Sequence, residues 1–160
     1  MANYEVAETY TGLRQQLLSF NPLEAGFDPA ASNRVWGMMM ETGHPGAVIT
    51  LVVVADGTVS LYFSNGGGII GLGQHEAPRK AAATLLSAAP DFLELAQQTT
   101  VYPLPDEGHT LFYFLTIDGI FSVDAKEDDL GHKRLSHWPL FYLAQGVITQ
   151  ARLVDQQRKT

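Results

Sequence analysis

The sequence contains no cysteine, which excludes disulfide bonds, thiolate catalysis and zinc sites built on cysteine. It is also poor in charge, since Asp, Glu, Lys and Arg make up 17% of the 160 residues, against 46% for apolar residues. Basic residues are the scarcer kind, 10 against 17 acidic ones, which leaves a formal charge of −7. A chain this acidic has little with which to neutralise phosphate groups, so we expect neither nucleic acid nor an anionic membrane as its partner.

The sequence also lacks long apolar runs. No segment approaches the ~18 apolar residues of a membrane-spanning helix, and the start M-A-N-Y-E-V-A-E lacks the features of a signal peptide. These features predict a cytoplasmic protein. The length is typical of one domain, so we expect a single α+β domain over 1–160. Its predicted parts are an N-terminal helix and connection (1–33), a first β-β-β-α unit (34–98), a second such unit (99–155) and a polar tail (156–160).

The most informative stretch runs from Val48 to Leu86. Two apolar runs flank Asp56-Gly57, a dipeptide that favours a tight hairpin turn because glycine readily adopts positive φ. The first run includes the successive valines Val52–Val54. A run without polar alternation predicts a strand that is covered on both faces, by helices or by a second subunit. The second run, Val59 to Phe63, alternates apolar and polar side chains, as a strand with one buried face does.

The other elements follow from periodicity and turn residues. Apolar spacing predicts helices over about 5–20, from Glu76 onward and over about 135–154, with further helical turns over 91–98. A second Asp-Gly turn at Asp118-Gly119 predicts another hairpin, and Glu127–Asp129 reads as an acidic loop. Strands are expected at 35–41, 48–55, 59–63, 101–104, 110–117 and 120–123. We therefore predict an antiparallel sheet of five to six strands with the helices packed on it.

The two halves of the chain echo each other. Aligning Asp56-Gly57 with Asp118-Gly119 also brings Ser60 onto Ser122 and His75 onto His137. This layout predicts two β-β-β-α units that complete one antiparallel sheet.

A glycine-rich loop follows the first hairpin. Gly66 to Gly71 match the letters of the dinucleotide fingerprint G-x-G-x-x-G, in which backbone N–H groups bind phosphate at a helix N-terminus. However, the fingerprint belongs to a parallel βαβ unit, whereas the strand here is the second arm of a hairpin, and Glu76 would repel phosphate. The alternative is a turn that requires glycine for its backbone angles. The ligand-binding candidates at this loop are Asn65, Gly66, Gly67, Gly68, Gly71, His75 and Arg79.

Other patterns carry no catalytic chemistry. His132 and His137 are five apart, which does not place two metal ligands on one helical face. No serine lies in a G-x-S-x-G sequence, and Asp56 and Asp118 are explained as turn formers. We therefore assign no catalytic residue, no metal site and no cofactor.

Two regions carry more apolar side chains than one core face requires. The last helix has them on more than one face, and the first strand combines tryptophan with methionines, whose side chains make adaptable contacts. Such an excess is typical of an association surface, although core packing explains the same residues. The candidate interface residues are Trp36, Met38, Met40, Trp138, Phe141 and Tyr142.

The order of elements resembles the roadblock/dynein light-chain superfamily and, more distantly, profilin-like modules. The resemblance rests on the layout of Leu13 to Phe20, the two Asp-Gly hairpins, the helix from Glu76 and the closing helix. Three strands precede the middle helix where roadblock domains have two, and the triple glycine has no place in that layout. The resemblance implies a homodimer that regulates a small GTPase or scaffolds a complex, with no catalytic residues.

Two functions follow. The first, which the sequence favours, is a non-catalytic protein-interaction, scaffold or regulatory domain that associates with a protein partner or with itself as a homo-oligomer. The alternative is a small-ligand or nucleotide-binding protein, with an enzyme among the options, that uses the glycine-rich loop 66–73 at a helix N-terminus. In that case Arg79 or Lys80 supplies the counter-charge.

Overall fold

The computed structural model describes residues 3–27 and 35–158. Within these ranges the helices are α1 (Glu8–Leu18), α2 (Glu76–Ala88), α3 (Glu127–Gly131) and α4 (Trp138–Arg158), with 3-10 turns at Leu72–Gln74 and Ala89–Leu95. The strands are β1 (Val35–His44), β2 (Ala47–Val54), β3 (Val59–Phe63), β4 (Gly68–Ile69), β5 (Gln97–Thr99), β6 (His109–Thr116) and β7 (Gly119–Lys126).

All seven strands belong to one open sheet in the order β4-β3-β2-β1-β6-β7-β5, and each neighbouring pair is antiparallel. The predicted α+β class, antiparallel sheet and N-terminal helix are therefore confirmed, but the sheet has seven strands where five to six were predicted. The additional strand is β4, which forms inside the glycine loop and pairs with β3.

One predicted strand lies in the wrong place. Residues 101–104 belong to no strand, and β5 forms instead at Gln97–Thr99, where helical turns were predicted as far as residue 98. Pro103 and Pro105 have no backbone N–H to give to a strand ladder, so this apolar stretch cannot pair as its composition suggests. Glu127–Asp129 was also predicted wrongly as a loop, since these residues form the first turn of α3. Acidic side chains are favourable there because they face the positive end of the helix dipole.

The two halves share an order of elements but not a pairing. In the first half β1, β2 and β3 are neighbours in sequence order. In the second half β7 lies between β5 and β6, and the other edge of β6 pairs with β1. The β1–β6 ladder joins the halves. Both Asp-Gly dipeptides lie at hairpin turns, and His75 and His137 each immediately precede a long helix. The two-unit layout stays a prediction.

Helix boundaries differ from the prediction by a few residues. The helix α2 begins at Glu76 as predicted, and α1 is shorter than 5–20. The helix α4 begins three residues later than predicted and continues to Arg158, so most of the predicted polar tail is helical. The predicted connection up to residue 33 lies outside the described residues from 28 onward.

One face of the sheet packs against α2 and α4, and this is the larger core. Alternate residues of the central strands point to it, as the two-residue period of a strand requires. The buried strand residues of this core are Val35, Met38, Met40, Leu51, Val53, Val59, Leu61, Phe112, Phe114 and Ala125.

The opposite face carries a second apolar layer under α1. Its buried members are Trp36, Met39, Val52, Val54, Leu111, Tyr113 and Leu115, with Leu17 and Leu18 of α1 packed against them. The predicted two-sided burial of Val52–Val54 is confirmed, since these residues are 5%, 0% and 8% exposed. Both coverings come from this chain itself, so β2 needs no second subunit to exclude water.

Candidate binding site beneath the N-terminal helix

The glycine loop forms a tight turn after β3, and the chain then runs back beside β3 as β4. The N–H of Phe63 donates to the carbonyl of Gly67 at 2.9 Å, and the N–H of Gly66 donates back to Phe63 at 2.9 Å. Gly68 then pairs with Tyr62 in the β3–β4 ladder. Gly66 and Gly71 have positive φ, 108° and 73°, which explains glycine at both positions. Backbone N–H and C=O groups of the loop therefore form the hydrogen bonds of a hairpin. Phosphate binding by this loop stays a prediction without geometric support.

The charged candidates beside this loop also have structural partners. Arg79 donates to the carbonyl of Gly73 at 3.2 Å, and the Nε2 atom of His75 lies 3.1 Å from a guanidinium nitrogen of Arg158. Glu76 forms an exposed ion pair with Lys80 at 2.6 Å. The structure does not bring these candidates together, since Asn65 follows the end of β3 near Val48, whereas Arg79 lies beside the Asp56-Gly57 turn at the other end of β3. The contacts of His75 and Arg79 fasten the segment after the loop to α2 and α4.

Four of the predicted interface residues are buried inside the chain. Met38, Met40 and Phe141 belong to the core beneath α2 and α4, with 1%, 3% and 6% exposure, and Trp36 is 5% exposed in the layer under α1. Packing within the chain therefore accounts for these four side chains, which are not presented to a partner.

The other two, Trp138 and Tyr142, stabilise the connection between α3 and α4. Lys133 has a left-handed backbone with φ 59°, and its ammonium lies 4.6 Å from the Trp138 ring centre and 5.4 Å from that of Tyr142. The Tyr142 hydroxyl donates to the carbonyl of Gly131. These contacts orient the start of α4, although Tyr142 remains 42% exposed.

A fully buried carboxylate fastens α1 to the sheet. Glu41, on β1, is 0% exposed and receives two hydrogen bonds from Arg14, one from Nε at 2.8 Å and one from Nη2 at 2.9 Å. The hydroxyls of Thr50 and Tyr10 donate to the same carboxylate at 3.0 Å and 3.2 Å. A two-pronged guanidinium–carboxylate pair with further hydrogen bonds is the arrangement in which a buried charge is tolerated.

Burial and the Glu41 charge perturb the surrounding groups. Burial raises the pKa of Tyr10 well above its usual range, and the neighbouring Glu41 raises it further. The pKa of Tyr113 is raised for the same two reasons. Burial alone would lower the pKa of Arg14, but its hydrogen bonds to Glu41 outweigh that effect and raise it. The cluster is thus a cation and an anion held among neutral phenols.

The same cluster reaches the segment that follows β5. Arg14 and Tyr113 both donate to the carbonyl of Pro103, at 3.2 Å and 2.7 Å, and Tyr4 donates to the carbonyl of Pro105 at 2.7 Å. Sequence reasoning missed this network. The available signal was a glutamate in the otherwise apolar run V-W-G-M-M-M-E, where an unpaired charge would be costly.

A pocket of about 290 Å³ opens at the other side of α1, between the helix and the β2–β3 hairpin. We call it the α1 pocket, and its lining residues are Leu13, Gln16, Leu17, Phe20, Trp36, Val52, Val54, Asp56, Thr58 and Tyr62. Small-molecule sites are typically concave and apolar with a few polar groups, and this volume lies near the lower end of their range. None of the predicted ligand-binding residues lines it, and of the predicted interface residues only Trp36 does.

Aromatic rings are concentrated at this pocket. The ring centres of Phe20 and Trp36 are 5.1 Å apart, and the ring centre of Phe27 lies 5.7 Å from that of Trp36. The indole nitrogen of Trp36 is buried and has no hydrogen-bond partner among residues 3–27 and 35–158. Phe20 is 40% exposed, so the aromatic group is reachable from solvent.

His137 is the other buried group without a partner. It is 5% exposed, packs edge-on against Phe112 with ring centres 5.9 Å apart, and its Nε2 atom has no hydrogen-bond partner within the described ranges. Burial lowers its pKa below 6.5, so the ring is neutral at neutral pH. We assign His137 a packing role.

The part of the chain that the structure describes contains no group of three His, Asp or Glu side chains placed to hold a metal ion. Nor does any of its helices have the length and apolarity to cross a membrane. By class this is an α+β protein with an open antiparallel sheet, helices on one face and α1 with its pocket on the other. The chain matches no protein-family model, no curated protein and no solved structure.

Proposed function

We propose that the protein is a non-catalytic binding protein whose binding site is the α1 pocket. The observation that carries the proposal is the lining of this pocket, which combines aliphatic side chains of α1 and β2 with three aromatic residues and a polar rim. This composition suits a ligand with an apolar body and a polar end.

The attachment of α1 supports the proposal. The helix forms one wall of the pocket, and the Arg14–Glu41 pair fixes that helix one turn before Leu17, which lines the pocket. A wall held by a buried ion pair is preorganised, and a preorganised site loses less conformational entropy when a ligand binds. The cluster thus contributes to binding without touching the ligand.

Self-association, which the sequence favoured, has less support. One of its motivations was the two-sided apolar strand β2, and both faces of that strand are buried within one chain. The remaining exposed apolar side chains on α4 are Tyr142 and Leu153, at 42% and 46%. The roadblock-like homodimer therefore stays a prediction, which light scattering of the purified protein would test.

The experiment for the pocket is a pair of matched substitutions. Leu13→Trp places a larger side chain on the pocket wall, and Leu153→Trp makes the same change on the exposed surface of α4. We would screen a panel of small aromatic and aliphatic compounds by two-dimensional NMR. Ligands of the α1 pocket should shift the signals of Val52 and Trp36 and should lose at least tenfold in affinity in Leu13→Trp, with Leu153→Trp unchanged.

The proposal fails if no compound of the panel shifts these signals, or if Leu13→Trp binds every compound as tightly as Leu153→Trp does. Circular dichroism of both variants tests whether the fold is intact. This control is needed because an inserted ring that unfolded α1 would also abolish binding. A compound that shifts only signals of the glycine loop would show instead that the ligand binds at residues 66–73.

A further inference from the structure

The α1 pocket has a charge of one sign. Among the described residues that line it, Asp56 is the only one with a charged side chain, and none is a lysine or an arginine. The carboxylate of Asp56 accepts one hydrogen bond, from the backbone N–H of Thr58 to Oδ1 at 2.9 Å. Within residues 3–27 and 35–158, no basic side chain forms an ion pair with it.

The neighbouring cation is engaged elsewhere. Arg79 lies on the opposite side of the Asp56-Gly57 turn, where it shares with Asp56 the lining of a separate open groove of about 320 Å³. Its guanidinium donates to the carbonyl of Gly73. Asp56 is therefore an exposed acidic residue at the α1 pocket, and within residues 3–27 and 35–158 no basic side chain forms an ion pair with it.

Aromatic faces add to this negative potential. Phe20, Trp36 and Tyr62 line the pocket with Asp56, and the face of an aromatic ring attracts a cation through its quadrupole. The whole chain carries a formal charge of −7, which favours the approach of cations and disfavours anions. The apolar pocket, its aromatic rings and the Asp56 carboxylate thus all favour a ligand with a positive charge on an apolar body.

We infer that the ligand of the α1 pocket is a small organic cation, an amine or quaternary ammonium carried on an aromatic or aliphatic body. This inference rests on the proposed function. The apolar body lies against Leu13, Leu17 and the β2 valines. The ammonium group lies at the rim, where the carboxylate of Asp56 and the aromatic rings stabilise its charge. Anionic ligands of the same shape are disfavoured because they would lie beside the Asp56 carboxylate.

Three probes of similar shape test the charge preference: 2-phenylethylammonium, the neutral 2-phenylethanol and the anionic 3-phenylpropanoate. Their dissociation constants would be measured by NMR titration, with the signals of Val52 and Trp36 as the readout. The cation should bind about threefold to tenfold more tightly than the alcohol, and the anion should bind more weakly than both.

Asp56→Asn removes the charge while keeping the turn, since Asn-Gly forms the same type of tight hairpin as Asp-Gly. It should weaken binding of 2-phenylethylammonium by about threefold to tenfold and leave 2-phenylethanol unchanged. Asp118→Asn makes the same change at the other Asp-Gly turn, outside the pocket, and should affect neither probe.

Three results would overturn the inference. If all three probes bind the pocket equally, or if Asp56→Asn binds the cation as well as the native protein does, the pocket does not select charge, while the proposed binding function stands. If the cation binds but Leu13→Trp leaves its affinity unchanged, the probe occupies another site, and both the inference and the proposed function fail at this pocket.

Discussion

Replacing Arg14 with methionine leaves the carboxylate of Glu41 buried without its cation. Breaking a buried ion pair by removing one partner typically costs about 3–5 kcal/mol, because the remaining charge is then uncompensated. The Glu41 side chain is 0% exposed and that of Arg14 is 14% exposed, so water can reach the site partly once the guanidinium is gone. We therefore expect Arg14→Met to lower the free energy of unfolding by about 3 kcal/mol, at the lower end of that range.

A double-mutant cycle separates this effect from lost packing. Glu41→Met should cost about 2 kcal/mol, since Arg14 keeps the carbonyl of Pro103 as an acceptor. The double variant should be only about 1–2 kcal/mol less stable than the native protein, because two methionines fill the space of an ion pair without leaving a charge. Denaturant unfolding at neutral pH, followed by circular dichroism, gives the three differences.

The chain offers a matched control in the exposed pair Glu76–Lys80, whose side chains are 68% and 73% exposed. Lys80→Met should cost no more than about 0.5 kcal/mol, as an exposed pair four residues apart on a helix does. The reasoning is refuted if Arg14→Met costs as little as Lys80→Met, or if the effects of Arg14→Met and Glu41→Met simply add in the double variant. Additivity would mean that the two side chains stabilise the fold independently.

Three further substitutions test the packing. Gly73→Ala should destabilise by about 1–3 kcal/mol because its Cβ would overlap the carbonyl oxygen of Gly57, whereas Gly131→Ala, with open space around its Cβ, should be near neutral in the same unfolding assay. Burial lowers the pKa of His137 below 6.5, so the unfolded chain binds the extra proton first and the native state loses stability as pH falls through 6.5. His137→Leu should reduce this loss in melting temperature, and an unchanged pH dependence would contradict the assignment.

Much of the sheet could be predicted because its signals are local. The Asp56-Gly57 and Asp118-Gly119 turns fix two hairpins, and the valines of β2 indicate a strand buried on both faces. The misplaced strand shows the limit. Residues 101–104 look like a strand by composition, and β5 forms at Gln97–Thr99 because that segment can pair with β7. Pairing is a non-local property, which composition does not carry.

The candidate site could not be predicted for a similar reason. The glycine loop attracts attention because its letters match a known fingerprint, yet its backbone groups serve the β3–β4 hairpin. The α1 pocket has no sequence signature, since its lining comes from α1, β1 and the β2–β3 hairpin and assembles only in the fold. Of the predicted residues, Trp36 alone lines it.

One physical feature connects stability with the proposed function. An apolar helix on an apolar sheet face has many nearly equivalent positions, because apolar contacts are not directional. A buried ion pair has a single favourable position, since the Nε and Nη2 groups of Arg14 must both donate to the Glu41 carboxylate. The pair thus selects the position of α1 among alternatives that bury similar apolar area. That position is also the one that leaves the α1 pocket open beside Trp36, so the Arg14→Met variant should bind 2-phenylethylammonium more weakly even under conditions in which it remains folded.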